Sequence, residues 1–384
     1  MDWDGLLQDC IDFTQRLIQT ESMSYEEADL AQLIAGELRA LHFDEVWLDE
    51  IGNVNGRIFG QDRSLGALVL NTHLDHVDPG EPSLWSVPPF SAEIVEDRIV
   101  GRGASDIKGP LAVQVYSMAA LLRNGDRPPR DVVFNCVVQE EVGGAGAIHW
   151  IENLDYDVDL VVLGEPSSNQ ISLGHRGGRW FRVKFHGRSV HASVPQKGVN
   201  PNKALANFLT RLETAQNSLQ AHPILGSTTV APTIIEVDTR SANVIPAWTS
   251  VLLDIRTAAE SVNSLLAFIH ELAGDWPHDI FDLYGGDSET PVIPSDEIIY
   301  GYYTPPENQK AVRAREAISR GTGENTPFSS YQFATDGRHF VPYGLDIIGY
   351  GPGDEEQAHV VDESISISAM RQSLRGHVQL LREY

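Results

Sequence analysis

The sequence predicts an α/β protein of two parts: a mostly parallel sheet covered by helices, and a smaller inserted α+β domain. Three observations carry that expectation. Apolar, β-branched runs alternate with helical stripes from the start of the chain to about Pro166, the rhythm of strand–helix–strand units. After Gly178 the rhythm changes to half-buried strands in closer succession. A length of 384 residues also exceeds what one ordinary core accommodates.

Each element follows from its pattern. Leu6, Leu7, Cys10, Ile11, Leu17 and Ile18 form one stripe of a helix over 4–18. Ser24-x-x-Glu27 has the form of a capping box, which starts a second helix at Ser24 and carries it toward Leu41. Next come the strand-like EVWLDEI and GALVLNTHLD, a helix from Pro110 to Leu122, the strand DVVFNCVVQEE, a helix from Gly146, and the strand DLVVLGEP. Past Gly178, RWFRVKFHG alternates, a helix covers Asn202 to Gln216, TIIEVDTR and TSVLLDIR read as paired strands, and a helix spans Ser261 to Leu272. Strand, helix, two strands, helix is the opening of a ferredoxin-like layer. Residues 180–290 are therefore read as the inserted domain, and 1–179 with 291–384 as the larger one. The Pro- and Gly-rich stretch YGGDSETPVIPSD leads back to a helix over Gln309–Arg320 and the strand LDIIGYG.

A formal charge of −26, from 54 acidic against 28 basic residues, argues against nucleic-acid and anionic-membrane partners, which need basic patches. No apolar run approaches the length that crosses a bilayer, and MDWDGLLQDC lacks a signal pattern, so the expected location is the cytoplasm. Cys10, on a predicted helix, and Cys136, inside an apolar strand, suit core positions. They fit neither a disulfide framework nor a zinc–thiolate spacing.

Five acidic or histidine-bearing segments stand where strands should end. They hold His73 and Asp75 in NTHLDH, Asp106 in GRGASDIKGP, Glu140 and Glu141 in VVQEEVGG, Glu165 in LGEP, and His359 in QAHVV. Open α/β sheets hold ligands at the carboxyl ends of their strands. Imidazole and carboxylate are the donors that zinc, cobalt or manganese takes when thiolates are absent. On an extended strand end His73 and Asp75 share one face, which makes His73 the ligand and Asp75 the acceptor for its other ring N–H. His76 and Asp78 rank below them, because adjacent strand side chains point oppositely. Asp106, between glycines, could bridge two cations or cap the following helix. Of Glu140 and Glu141, one can ligate while the other serves as general base, although such pairs are often simply solvated. Together the segments suggest a metal-dependent hydrolase.

In order, and over nearly the whole chain, the series resembles the cocatalytic-zinc exopeptidase family that includes acetylornithine deacetylase, succinyl-diaminopimelate desuccinylase, aminoacylase-1 and carboxypeptidase G. The shared elements are His-x-Asp at 73–75, GRG-x-x-D-x-KG at 101–109, paired glutamates at 140–141, GEP at 164–166, G-x-x-x-H at 187–191, N-x-I-P at 243–246, and the late His359. The resemblance implies two divalent metal ions, with zinc favoured by ligand type and cobalt or manganese suiting the same donors. His73 and Glu165 would hold one and Glu141 and His359 the other, with Asp106 bridging. Glu140 would be base and proton shuttle. The inserted domain would serve as lid and dimerisation surface, and His191 would be an oxyanion donor supplied by the other subunit of a homodimer. Asn243 and Arg256 match positions associated with substrate binding. Arg256 could clamp a carboxylate bidentately, or could belong to a surface ion pair. Arg176 in HRGG and Arg338 in TDGR resemble the desuccinylase branch, which suits a substrate with an extra carboxylate. Leu74 and His76 stand where threonines are more common in the family, a departure that bears on substrate preference.

The implied reaction removes an acetyl or succinyl group from an N-acyl amino acid, with metal-activated water and a glutamate base. A dipeptidase or carboxypeptidase of the same family is the alternative. A non-catalytic binding protein on this scaffold would normally have lost a ligand or the base, and all of those residues are present. No G-x-G-x-x-G follows the first strands, which argues against a dinucleotide binder.

Overall fold

A computed structural model of the chain describes residues 1–215, 218–219, 221–258, 260–283, 290–294 and 301–384. They divide into two compact units, Met1–Gly174 with Tyr303–Tyr384, and His175–Tyr302. The limits of 180 and 290 read from the sequence lie inside the second unit.

The first unit is built on a mixed, mostly parallel sheet. Its strands run, in spatial order, Glu45–Leu48, Val54–Ile58, Val132–Val137, Ala67–His73, Val158–Leu163, Ile347–Gly349 and Ile171–His175. The four from Val132–Val137 to Ile347–Gly349 are parallel, and the flanking pairings are antiparallel. Ala67–His73 and Val132–Val137 are buried at every position, as expected of central parallel strands, and this is why the sequence shows them as mainly apolar runs without polar alternation, with Asn71 and Asn135 bonded to each other inside the sheet. The helix Gly109–Asn124 packs on both and carries Trp3–Gln19 and Ile367–Glu383 beside it. His73 ends its strand opposite Val137, the last residue of the neighbouring one. Glu140, Glu141 and Glu165 follow within a few residues of strand ends, so one edge of the sheet gathers the acidic segments.

The second unit is ferredoxin-like. Strand Gly177–His186, helix Pro201–Ala215, strands Thr229–Val237 and Trp248–Thr257, helix Val262–Ala273 and strand His278–Asp282 follow in chain order. The sheet is antiparallel with Gly177–His186 and Trp248–Thr257 at its centre. Phe181, Val183 and Phe185 alternate inward from the first strand onto Phe208, Leu253 and Leu265, which gives this unit its own core. Among the described residues Thr229–Val237 pairs on one side, and it exposes Ile234, Ile235 and Val237.

Several elements differ from those read in the sequence. The second helix spans Ala28–Ala40, and its N-cap has no side-chain hydrogen bond. The residues of the supposed capping box are committed elsewhere: Ser24 Oγ donates to Asp75 Oδ2 (2.7 Å), and Glu27 Oε1 accepts from Gln139 N (3.1 Å). Tertiary partners have won over the local motif. The short strand Val54–Ile58 and the long C-terminal helix Ile367–Glu383, capped by Ser366, are additional elements. Gln216 and most of the YGGDSETPVIPSD stretch lie outside the described residues. Cys10 and Cys136 are buried and unbonded to each other. Among the described residues no helix is long and apolar enough to cross a membrane.

Candidate metal centre

The strand-end segments converge on Asp106. Its Oδ1 lies 3.2 Å from His73 Nε2, and its Oδ2 lies 3.3 Å from His359 Nε2. Glu165 Oε1 is 3.9 Å from the first ring nitrogen, and Glu141 Oε1 is 2.9 Å from the second. Donor atoms of His73, Asp106 and Glu141 all fall within 4.8 Å of one another. Asp106 thus stands between two histidines, each with its own glutamate. A cavity of about 330 Å³ opens onto Asp106, Glu140, Glu141, Glu165 and His359, with the 332–334 segment as a further wall.

Local structure explains each orientation. Asp106 has non-helical φ −122° and ψ 82° just before the helix Gly109–Asn124, whose N-cap makes no side-chain bond. The alternative of a helix-capping Asp106 therefore does not hold. His73 Nδ1 donates to the backbone oxygen of Asp75 (2.9 Å), which orients the ring and aims Nε2 at Asp106. The Asp75 carboxylate was the expected ring partner, but its Oδ1 sits 3.5 Å from Nδ1. It is occupied instead by the backbone N–H groups of Glu140 (3.0 Å) and Glu141 (3.2 Å) and by Ser24. Asp75 therefore sets the backbone of both glutamates. His76, ranked below, is consumed internally: Nε2 accepts from Ser22 N and Nδ1 donates to Val77 O. Asp78 accepts from Gly80 N.

Burial dominates the electrostatics. It pushes the Glu140 carboxyl well above the usual carboxylate range, with neighbouring Asp336 adding to the rise, and it also raises Glu141 and Glu165. Burial alone would also raise Asp106 and lower His73. Hydrogen bonds from both rings reverse the first effect, and bonds to Asp106 and Asp75 reverse the second, so Asp106 is held low and His73 well above its ordinary value. His359 is pushed up to about 10 by Asp106 and Glu141. Four carboxyl groups around two imidazoles can all ionise only when positive charge beyond the two rings is supplied. Divalent cations suit that charge and that oxygen–nitrogen donor set.

The residues expected to meet substrate are placed as follows. His191, in the second unit, is exposed, and its Nδ1 accepts from Ser193 N (3.2 Å). A neutral ring then carries its proton on Nε2. The strand Val190–His191 pairs with Val244–Ile245, and Ala192 N donates to Asn243 O (2.8 Å), which brings His191 and Asn243 together. Arg256 lies opposite Gly178 and grips Asp254 with Nε (2.8 Å) and a terminal nitrogen (3.1 Å), the surface ion pair that the sequence left open. Arg176 donates to Ser227 O. Arg338, in the first unit, donates from Nε to His339 Nε2 (3.1 Å).

Some residues of the surroundings escaped the sequence reading. Ser24 and Glu27 carried the signal of a cap, and Glu363 looked like one more acid in an acidic loop. Asp336 lay inside the TDGR segment without being singled out. It is buried, neither carboxyl oxygen has a hydrogen bond among the described residues, and burial pushes it up to about 7.

Comparison with known proteins agrees with this geometry. The chain is 26% identical over 392 residues to succinyl-diaminopimelate desuccinylase 2 of Ruegeria sp. (strain TM1040), covering 98% of this chain and 95% of that one. Its fold is similar to that of aminopeptidase PepT from Bacillus cereus (TM-score 0.76, 17% identity, 98% of each chain). It is also similar to the Bacillus subtilis YXEP protein, a dinuclear metal binding peptidase (TM-score 0.71, 15% identity, 98% of each chain). The model of peptidase family M20/M25/M40 matches residues 69–383, and the chain belongs to that family of metal-dependent hydrolases.

Proposed function

We propose that the protein removes an acyl group, acetyl or succinyl, from an N-acyl amino acid. The observation that carries this reading is the convergence of Asp106 with His73 and His359, each ring beside its own glutamate, on a cavity that Glu140 also lines. The desuccinylase at 26% identity over nearly the full length of both chains supports the acyl class.

His73 and Glu165 would hold one divalent ion and Glu141 and His359 another, with Asp106 shared. When bound, these ions supply Lewis acidity toward the amide carbonyl and the attacking water. Glu140 accepts the proton that water loses as its oxygen bonds to the carbonyl carbon. Glu140 then passes that proton to the amide nitrogen as the C–N bond breaks, leaving a carboxylic acid and an amine. A base raised by burial holds the transferred proton between those events more readily than an exposed glutamate would. Asp75 keeps Glu140 and Glu141 in place through their backbone N–H groups. His191, with its proton on Nε2, suits donation to the developing oxyanion. Arg176, Asn243, Arg256 and Arg338 are the groups assigned to substrate binding, the arginines toward its carboxylates. A homodimer formed through the second unit, supplying His191 across subunits, is supported by the exposed apolar edge at Ile234, Ile235 and Val237.

Amine release from a panel of N-acetyl and N-succinyl amino acids and simple dipeptides tests the reading, with metal-stripped protein and Glu140→Gln as controls. Turnover of one acyl class, lost on chelation and restored by metal, is the expected result. Cleavage of dipeptides alone would replace deacylation by peptidase activity.

A further inference from the structure

We propose that Glu363 is a positioning residue that locks the Asp106 loop and the His359 loop at one fixed spacing, and that tight metal binding depends on it. The proposal rests on the metallohydrolase reading above and adds to it a residue outside the ligand set.

Glu363 is fully buried (0% exposed), and its carboxylate is surrounded by donors from one short segment. Oε2 accepts from the Arg102 guanidinium (2.6 Å) and Gly103 N (3.0 Å), and Oε1 accepts from Ser105 N (2.9 Å) and Asp106 N (3.0 Å). The Glu363 backbone oxygen takes a further bond from Gly101 N (2.8 Å). Successive backbone N–H groups turned to one side form a concave anion site, and here the chain fills it with its own carboxylate. The last of those donors is the amide of Asp106, the residue whose carboxylate stands between His73 and His359.

Glu363 also belongs to the segment that carries His359. Immediately beyond it, Ser364–Ser366 pairs antiparallel with Arg98–Val100, so the two loops leave a common pair of strands. Ser105 adds a second tie, accepting from Asp354 N (2.8 Å) and donating to Asp354 O (3.1 Å). Neither loop is regular structure at its ligand, and His359 has a positive φ of 61°. What fixes Asp106 Oδ2 at 3.3 Å from His359 Nε2 is therefore this cross-loop bonding, with Glu363 at its centre.

The geometry makes a sharp demand on chemistry. All four partners of the carboxylate are donors, so both oxygens must accept. In Glu363→Gln the amide NH₂ faces either Arg102 and Gly103 or Ser105 and Asp106, and two hydrogen bonds fail whichever way it is turned. Glu363→Asp keeps the charge but stops one methylene short.

The experiment is stepwise cobalt(II) titration of purified full-length wild type, Glu363→Gln and Glu363→Asp, following the visible spectrum of the bound ion, with the melting temperature of each metal-free protein recorded alongside. Glu363→Gln is expected to weaken at least one cobalt site by about 10–100-fold and to change its spectrum, with Glu363→Asp intermediate. Glu363→Asp carries the test should the Gln protein fail to fold. Wild-type cobalt affinities and spectra in the variants would overturn the proposal even if their melting temperatures fell, because Glu363 would then support only the fold. If wild type itself takes up no cobalt, the metallohydrolase reading fails first and this proposal with it.

Discussion

The candidate ligands of the first unit and the candidate substrate residues of the second are held in opposite ways. His73, Asp106 and Glu165 are buried, and their contacts join segments far apart in sequence. His191, Asn243 and Arg256 are exposed, and among the described residues the side-chain bonds of His191 and Arg256 reach two residues along the chain, to Ser193 and Asp254. A buried charge left unpaired costs several kcal/mol, so a cluster of this kind survives in one bonded arrangement and resists distortion. An exposed pair such as Arg256–Asp254 contributes about 0–1 kcal/mol and can be exchanged for a ligand at little cost. Fixed geometry is thus built into the first unit, and the capacity to change partner into the second.

The largest test of that contrast is Glu140→Gln. It should lower kcat on the order of 10²–10⁴-fold while metal content, measured by atomic absorption, stays at the wild-type level. Retained turnover would remove Glu140 as base.

A second test reads stability against pH. Burial holds His377, deep in the first unit, down to about 4 from 6.5, while Nδ1 donates to Ser373 O. The unfolded ring takes a proton that the folded ring refuses. Stability is therefore complete above about pH 6.5 and declines as pH falls toward 4, by about 3 kcal/mol in all. Denaturant melts of His377→Asn should lose that part of the acid slope; an unchanged slope would place the titration elsewhere.

Ser24→Ala comes next. Loss of a hydrogen bond to the Asp75 carboxylate should lower folding stability by about 1.5–3 kcal/mol in a denaturant melt, and kcat/KM should fall alongside if Asp75 sets the two glutamates. Smallest is Arg256→Ala. Its effect on the melting midpoint should stay within about 0.5 kcal/mol, because the pair is exposed, whereas KM for substrates with an extra carboxylate should rise about tenfold. An equal KM change for substrates without that group would sink the carboxylate-clamp assignment.

What the sequence disclosed and what it hid divide along the same line. Strands such as Ala67–His73 were visible because complete burial favours a mainly apolar run without polar alternation, and the ligands were visible because histidine and acid cluster where those runs end. Ser24 and Glu27 were misread because a local capping pattern and a pair of long-range acceptor and donor positions use the same residue types; only the fold decides between them. Glu363 could not be distinguished from its acidic neighbours, since burial of a charge leaves no mark on local composition. For the same reason the sequence showed only part of what Asp75 does: its backbone oxygen accepts from the His73 ring, and its carboxylate, 3.5 Å from the same nitrogen, also takes the N–H groups of both glutamates.

The hydrogen bonds that frame Asp106 also order events during synthesis. Translation delivers the Ala67–His73 strand and all four carboxylates of the cluster before any residue of the second unit, and His359 and Glu363 only after that whole unit is made. At about 5–20 residues per second, the nascent chain carries acids without their second imidazole and without the anchor of their central loop for on the order of tens of seconds. The full set of candidate donors therefore exists only once His359 has been made, so the geometry that would choose among competing divalent ions is set late in synthesis.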